Sequence, residues 1–348
     1  MTGGSLFLGE VREQPLALRR LLERGPEICE VGARLAAISP PVFRLVGHGS
    51  SDNAAAFGIY ALGLIGGRTA MRDSISLTTY YGADIDFTGG VVIALSQSGR
   101  TPDVVTYVER ARAGGATTVA VTNDPRSALA SAADLTVLLA AGEEAAVAAT
   151  KTYTNQLAAL VLLAAGAAGR GPELVESLGR VADLFEEAIA VSQPAAKKLA
   201  SAFGFTGRMF VIGRGLEFAT ARELALKLTE TCGIAAEPLT ATALVHGPIA
   251  ALDPLFPVWA IASNDAGLSS VQEAARRAKD AGATVVASGS AADQVDAAAY
   301  RLSIPDAPTP LDPLLSIVPG QLFAWALSQV KGLDPDEPTN LTKVTLAR

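Results

Sequence analysis

The chain sets out one layout twice, and that duplication constrains its fold more than any other feature. The first copy runs FRLVGHG (43–49), VVIALSQS (91–98) and GGATTVAV (114–121). The second runs RMFVIGRG (208–215), PVWAIASN (257–264) and AGATVVAS (281–288). Three anchors recur, Gly47 with Gly213, Ser96 with Ser263 and Gly115 with Gly282, at offsets of 166, 167 and 167. In each copy, short β-branched apolar runs end in Gly, Ser or Asn and give way to helical patterns. Strands apolar on both faces that alternate with helices predict a parallel sheet covered on both sides. Right-handed crossovers bring the C-terminal ends of such strands to one edge, where open α/β sheets bind their ligands. The expected class is therefore α/β, with two tandem flavodoxin-like domains, each a three-layer α/β/α sandwich.

At 348 residues, 49% apolar and 18% charged, the chain has the length and composition for two ordinary domains. A helical segment is expected at 1–36, a first domain at 37–170, a linking helix at 171–200 and a second domain at 201–320. A helix and tail follow at 321–348. The tail is broken by prolines and would ordinarily be disordered, but Lys343 argues against that reading. A net charge of -7 leaves no electrostatic footprint for nucleic acid, so an anionic ligand must be held by local groups. Cys29 and Cys232 belong to no CxxC or His/Cys cluster, which points to a reducing compartment and to no metal site. The N-terminus lacks a signal layout, and the longest apolar run, 157–169, falls short of the roughly 20 residues that span a bilayer. A cytoplasmic protein without a membrane segment is expected.

Ser96, Gln97, Ser98 and Thr101 follow the strand VVIAL where a helix should begin near Pro102. Hydroxyls beside the free N–H groups of a helix N-terminus make an anion site without a lysine. Ser50 and Ser51 follow the first strand in the same way. Simple N-capping is the alternative for either segment alone, but two on neighbouring strand ends favour a phosphate cradle. There is no GxxxxGK[ST], and GHGSSDNA has Asp52 where GxGxxG needs its third glycine, so a sugar phosphate suits the cradle better than a nucleotide. Farther on, RELALKLTET places Glu223, Lys227 and Glu230 on one helical face. Such a stripe is usually only a solvated face, and a lone His246 in a Gly-Pro turn is usually structural. Together, a carboxylate, a histidine and a lysine make a kit for sugar isomerisation.

The motifs SSDNA, LSQSGRTPD, AAVAATKTYTNQL, ELALKLTE, LVHGPIA and EPTNLTKVT resemble the double sugar-isomerase (SIS) domain family, which includes glucosamine-6-phosphate synthase and stand-alone deaminase-like relatives. The resemblance covers almost the whole chain. It implies that Ser96, Gln97, Ser98 and Thr101 hold the phosphate, and that Ser50, Ser51, Val147 and Ala149 contact the sugar. Ala149 stands where the family has a serine. The resemblance further implies that Glu230 shuttles a proton between C1 and C2, with Glu223 and Lys227 orienting it. His246 would open the ring on the neighbouring subunit of a homodimer, and Lys343 would form a Schiff base with the open-chain ketose or polarise it. Thr339 departs from an arginine in the synthase tail. No cofactor is implied. With no glutaminase cysteine near its start, the chain is expected to deaminate an amino-sugar 6-phosphate. Glucosamine 6-phosphate would give fructose 6-phosphate plus ammonia. The alternatives are a fructosamine-6-phosphate deglycase, the isomerase part of a glutamine-fructose-6-phosphate aminotransferase, and a non-enzymatic phosphosugar sensor.

Overall fold

The computed structural model describes residues 4–343, so the last five residues of the expected tail and the first three of the chain lie outside the described structure. Ten strands form two separate sheets of five. The first holds β1 (Phe43–Val46), β2 (Ala70–Arg72), β3 (Val91–Leu95), β4 (Thr117–Thr122) and β5 (Leu135–Leu138). The second holds β6 (Arg208–Gly213), β7 (Ala235–Thr240), β8 (Val258–Ile261), β9 (Val285–Gly289) and β10 (Tyr300–Ser303). The spatial orders are β2-β1-β3-β4-β5 and β10-β9-β8-β6-β7. Reversing the second order shows that the two topologies are the same, and every pairing is parallel. The chain order reverses at β1/β3 in one sheet and at β6/β8 in the other, the switch point where such sheets take ligands.

The repeated anchors have a common physical cause. A side chain on Gly47 would strike the backbone of Ser51, and one on Gly213 would strike that of Glu217, because the next helix starts hard against the strand end. Gly115 and Gly282 precede β4 and β9 at φ +92° and +95°, conformations that glycine enters without penalty. Strand β3 is buried at all five positions, as its unbroken apolar run requires in a doubly covered sheet.

The chain folds as two compact units that interleave in sequence. The first-sheet unit comprises Leu16–Glu144, Lys151–Gly179 and the tail from Thr342. The second-sheet unit comprises the residues up to Pro15, Ala145–Thr150 and Arg180–Leu341. The helices Ser5–Leu22 and Gly171–Ala202, expected at 1–36 and 171–200, are thus each divided between the units. In the first-sheet unit the apolar run at 157–169 lies in the helix Lys151–Ala167, buried along nearly its whole length. It packs against the helix Gly25–Ala37 so closely that a Cβ on Gly32 would lie 2.1 Å from the Leu163 carbonyl oxygen, and one on Gly166 only 1.9 Å from that of Cys29. Among the described residues no helix is long and apolar enough to cross a membrane.

Candidate active site

In the first-sheet unit, the loop after β3 is shaped by Gly99, whose φ of +61° and lack of a side chain let the Ser127 hydroxyl pack against it. The Ser96 hydroxyl accepts the Gly99 amide at 3.1 Å and faces the Thr101 hydroxyl at 3.5 Å. The Ser98 hydroxyl accepts the Arg100 amide at 3.3 Å. The helix Pro102–Ala113 then starts, and no side chain caps it, although Thr101 occupies the N-cap position. The helix Ser50–Leu64 likewise has no side-chain cap. Neither N-cap residue, Thr101 nor Gly49, makes a side-chain capping bond. Ser51 is buried, and its hydroxyl accepts the Gln156 side-chain amide at 2.9 Å.

A cavity of about 210 Å³ opens at this edge, lined by Gln97, Ser98, Arg100, Asn123, Asp124, Glu144 and Lys343. The tail thus delivers Lys343 to the same edge as the serine loop. Its Nζ lies 3.0 Å from Glu144 Oε2, and the Glu144 carboxylate is fully buried. Thr152 orients that carboxylate, its amide donating to Oε1 at 3.1 Å and its hydroxyl to Oε2 at 2.6 Å. Arg100 and Asp124 pair across the rim at 3.3 Å. Glu144, which lines the cavity, and Gln156, which bonds Ser51, are groups that sequence reasoning did not single out. Each reaches the edge through tertiary packing, and the one local hint was an acid shortly before a helix that begins Lys-Thr.

The second-sheet unit holds Glu223, Lys227, Glu230, His246, Val147 and Ala149. The stripe is not a solvated face, because Glu223 and Lys227 are completely buried and Glu230 is 22% exposed. Lys227 Nζ lies 2.6 Å from Glu230 Oε2 and 3.4 Å from Glu223 Oε1. One cation thus stands between two carboxylates. His246 is exposed just past the helix Ala241–Val245. Val147 is fixed by its amide, which donates to the Asp336 carbonyl at 3.1 Å. The Asp336 carboxylate accepts the amides of Gly4, Leu6 and Phe7, so the segment before Leu341 is tied down by specific bonds.

The matching edge of the second sheet is built differently. Glu217 occupies the place of Ser51 at the 166-residue offset, and its Oε1 accepts the hydroxyls of Ser263 at 2.5 Å and Ser316 at 2.7 Å. Burial, with the nearby Asp312 carboxylate adding to it, pushes Glu217 up to about 7. Burial likewise raises Asp312 to about 6. Both groups therefore favour the neutral form in the folded chain more than in the unfolded one. Their contribution to stability is greatest at low pH and falls as pH rises from about 4.5 to about 7. Thermal unfolding should show a midpoint several degrees higher at pH 5 than at pH 8, and Glu217→Gln should remove most of that difference. An unchanged slope in the variant would assign it to other groups.

Comparison with known proteins matches this architecture. The SIS domain family model covers residues 44–166 and 206–329, and the chain belongs to that family. It is 36% identical, over 97% of its length, to the glutamine–fructose-6-phosphate aminotransferase (isomerizing) of Aeropyrum pernix. It spans 56% of that relative's length. Among solved structures, a Silicibacter pomeroyi protein described as a phosphosugar isomerase superposes with a TM-score of 0.87 at 32% identity, covering 95% of this chain and 99% of that one. The Thermotoga maritima glucosamine-6-phosphate deaminase shares the fold with a TM-score of 0.78 at 21% identity, covering 97% of this chain and 99% of that one.

Proposed function

We propose that the protein interconverts the aldose and ketose forms of an amino-sugar 6-phosphate. In the deaminating direction it would convert amino-sugar 6-phosphates to the ketose 6-phosphate and ammonia, with glucosamine 6-phosphate, which gives fructose 6-phosphate, foremost. The observation that carries this reading is the cavity in which Ser98 and Gln97 share walls with Lys343. Hydroxyl and amide donors at a switch-point edge suit a phosphate, and an amine beside them suits a carbonyl carbon. In this reading Ser96, Gln97, Ser98 and Thr101 bind the phosphate, and Ser50, Ser51, Val147 and Ala149 bind the sugar. Glu230 moves the proton between C1 and C2, oriented by Lys227, which Glu223 fixes in turn. Lys343 forms the Schiff base.

Incubation with amino-sugar 6-phosphates should release ammonia, and Glu230→Gln should lower that rate by about a hundredfold or more, the scale of general acid–base catalysis. Ammonia release undiminished in Glu230→Gln would remove Glu230 from the mechanism, and no turnover of any phosphosugar in the unaltered protein would overturn the reading. A second reading, as an isomerase that receives ammonia from elsewhere, is favoured by the 97% match of this chain to just over half of the aminotransferase relatives. It predicts glucosamine 6-phosphate formation from fructose 6-phosphate when ammonium is supplied.

The exposure of His246 supports a role on a neighbouring subunit in a homodimer. Mixing inactive Glu230→Gln and His246→Asn proteins should then restore part of the activity. Failure of complementation after subunit exchange would count against a shared site.

A further inference from the structure

We propose that Glu144 is the proton acceptor that makes Lys343 a nucleophile and then returns the proton to the departing oxygen. The inference rests on the Schiff-base role given to Lys343 above. A lysine in water at neutral pH is an ammonium ion with no lone pair to offer, so Schiff-base formation needs a partner that takes one proton and gives it back. Glu144 Oε2 stands 3.0 Å from Lys343 Nζ, within direct proton-transfer distance. The carboxylate is fully buried and lines the cavity beside Gln97 and Ser98. Its orientation is fixed from behind by the amide and hydroxyl of Thr152.

The step balances as follows. Lys343 ammonium passes one proton to Glu144, and the neutral amine attacks the carbonyl carbon of the open-chain ketose, forming a C–N bond. A proton moves from nitrogen to the former carbonyl oxygen, giving a carbinolamine. Protonated Glu144 then donates to that hydroxyl, the C–O bond breaks, and water leaves. The product is a protonated imine opposite a regenerated Glu144 carboxylate, with no net proton retained by the protein. Charged groups near the pair include Arg100 with Asp124, and the buried Lys151, whose Nζ donates to the Glu143 carbonyl.

Glu144 could serve merely as a distant cap for the helix that begins at Lys151, since it bonds a first-turn amide. The rate and pH profile of imine formation separate the two roles. The full chain would be incubated with fructose 6-phosphate and borohydride between pH 6 and 9, and the mass added to the C-terminal peptide followed with time. The proton-relay role predicts that Glu144→Gln, still folded and still binding inorganic phosphate, loses about a hundredfold in its maximal trapping rate at every pH. Glu144→Asp, which retains the carboxylate but shortens its reach, should fall between the two, and it supplies the test if the glutamine variant does not fold. Trapping by Glu144→Gln at the full wild-type maximum, with the profile only displaced to lower pH, would reduce Glu144 to a charge partner and overturn the proposal. So would a wild-type rate in Glu144→Asp. Absence of any adduct in the unaltered protein would instead overturn the Schiff-base reading beneath it.

Discussion

Replacing Ser98 with Asp should raise the Michaelis constant for a phosphosugar by about two orders of magnitude while leaving the fold intact. The Ser98 side chain is partly exposed on the cavity wall, and its one visible structural bond is the 3.3 Å contact with the Arg100 amide, which a carboxylate can also accept. Little stability is therefore at stake. Binding loses a hydroxyl donor and gains a negative charge a few ångströms from a phosphate dianion. A lost hydrogen bond costs about 1 kcal/mol, and like charges at that distance with partial screening add about 2 kcal/mol or more, which together correspond to roughly a hundredfold in affinity. Asp265→Ser, at the matching place in the second sheet, should leave the constant unchanged. A Ser98→Asp protein with unaltered phosphosugar binding would show that the cradle lies elsewhere.

Lys227→Met should be the most destabilising single substitution within the helix Glu217–Cys232. The side chain is of similar length and wholly buried, so little volume changes. What is lost is the only cation this helix places between Glu223 and Glu230. Breaking a buried ion pair by removing one partner costs about 3–5 kcal/mol, equivalent to a fall of roughly 10 °C in the melting temperature. A lysine on a solvated face would cost about 0.5 kcal/mol at most. The double variant Glu223→Gln with Lys227→Met should recover part of the loss. Calorimetry showing Lys227→Met within a degree of the parent would return the stripe to the solvated reading.

Hydropathy pattern could not distinguish those two readings of the stripe. An amphipathic helix displays the same spacing whether its polar face meets water or another layer of protein. Here the helix packs on β6 and β7 on one side and on the apolar helix Val318–Val330 on another. Only the tertiary arrangement supplies that cover. The inner strands, by contrast, were legible: continuous apolar β-branched runs became the buried β1, β3, β4, β6, β8 and β9, and the paired glycines marked strand ends and positive φ angles, whereas the half-exposed outer strands β2, β5, β7 and β10 carry no such run. The serine loops were legible because they follow strand ends directly. Glu144 was not, since its partner Lys343 lies 199 residues away and nothing in local spacing links them. Glu217 escaped for a related reason, being an ordinary first-turn acid until burial and the two hydroxyls around it are known.

The Asp336 carboxylate caps a helix that starts 331 residues earlier, accepting the amides of Gly4, Leu6 and Phe7. A chain cut before Asp336 would leave those three amides to water alone, and the opening turn of Ser5–Leu22 would fray into the kind of loose end that proteases grip.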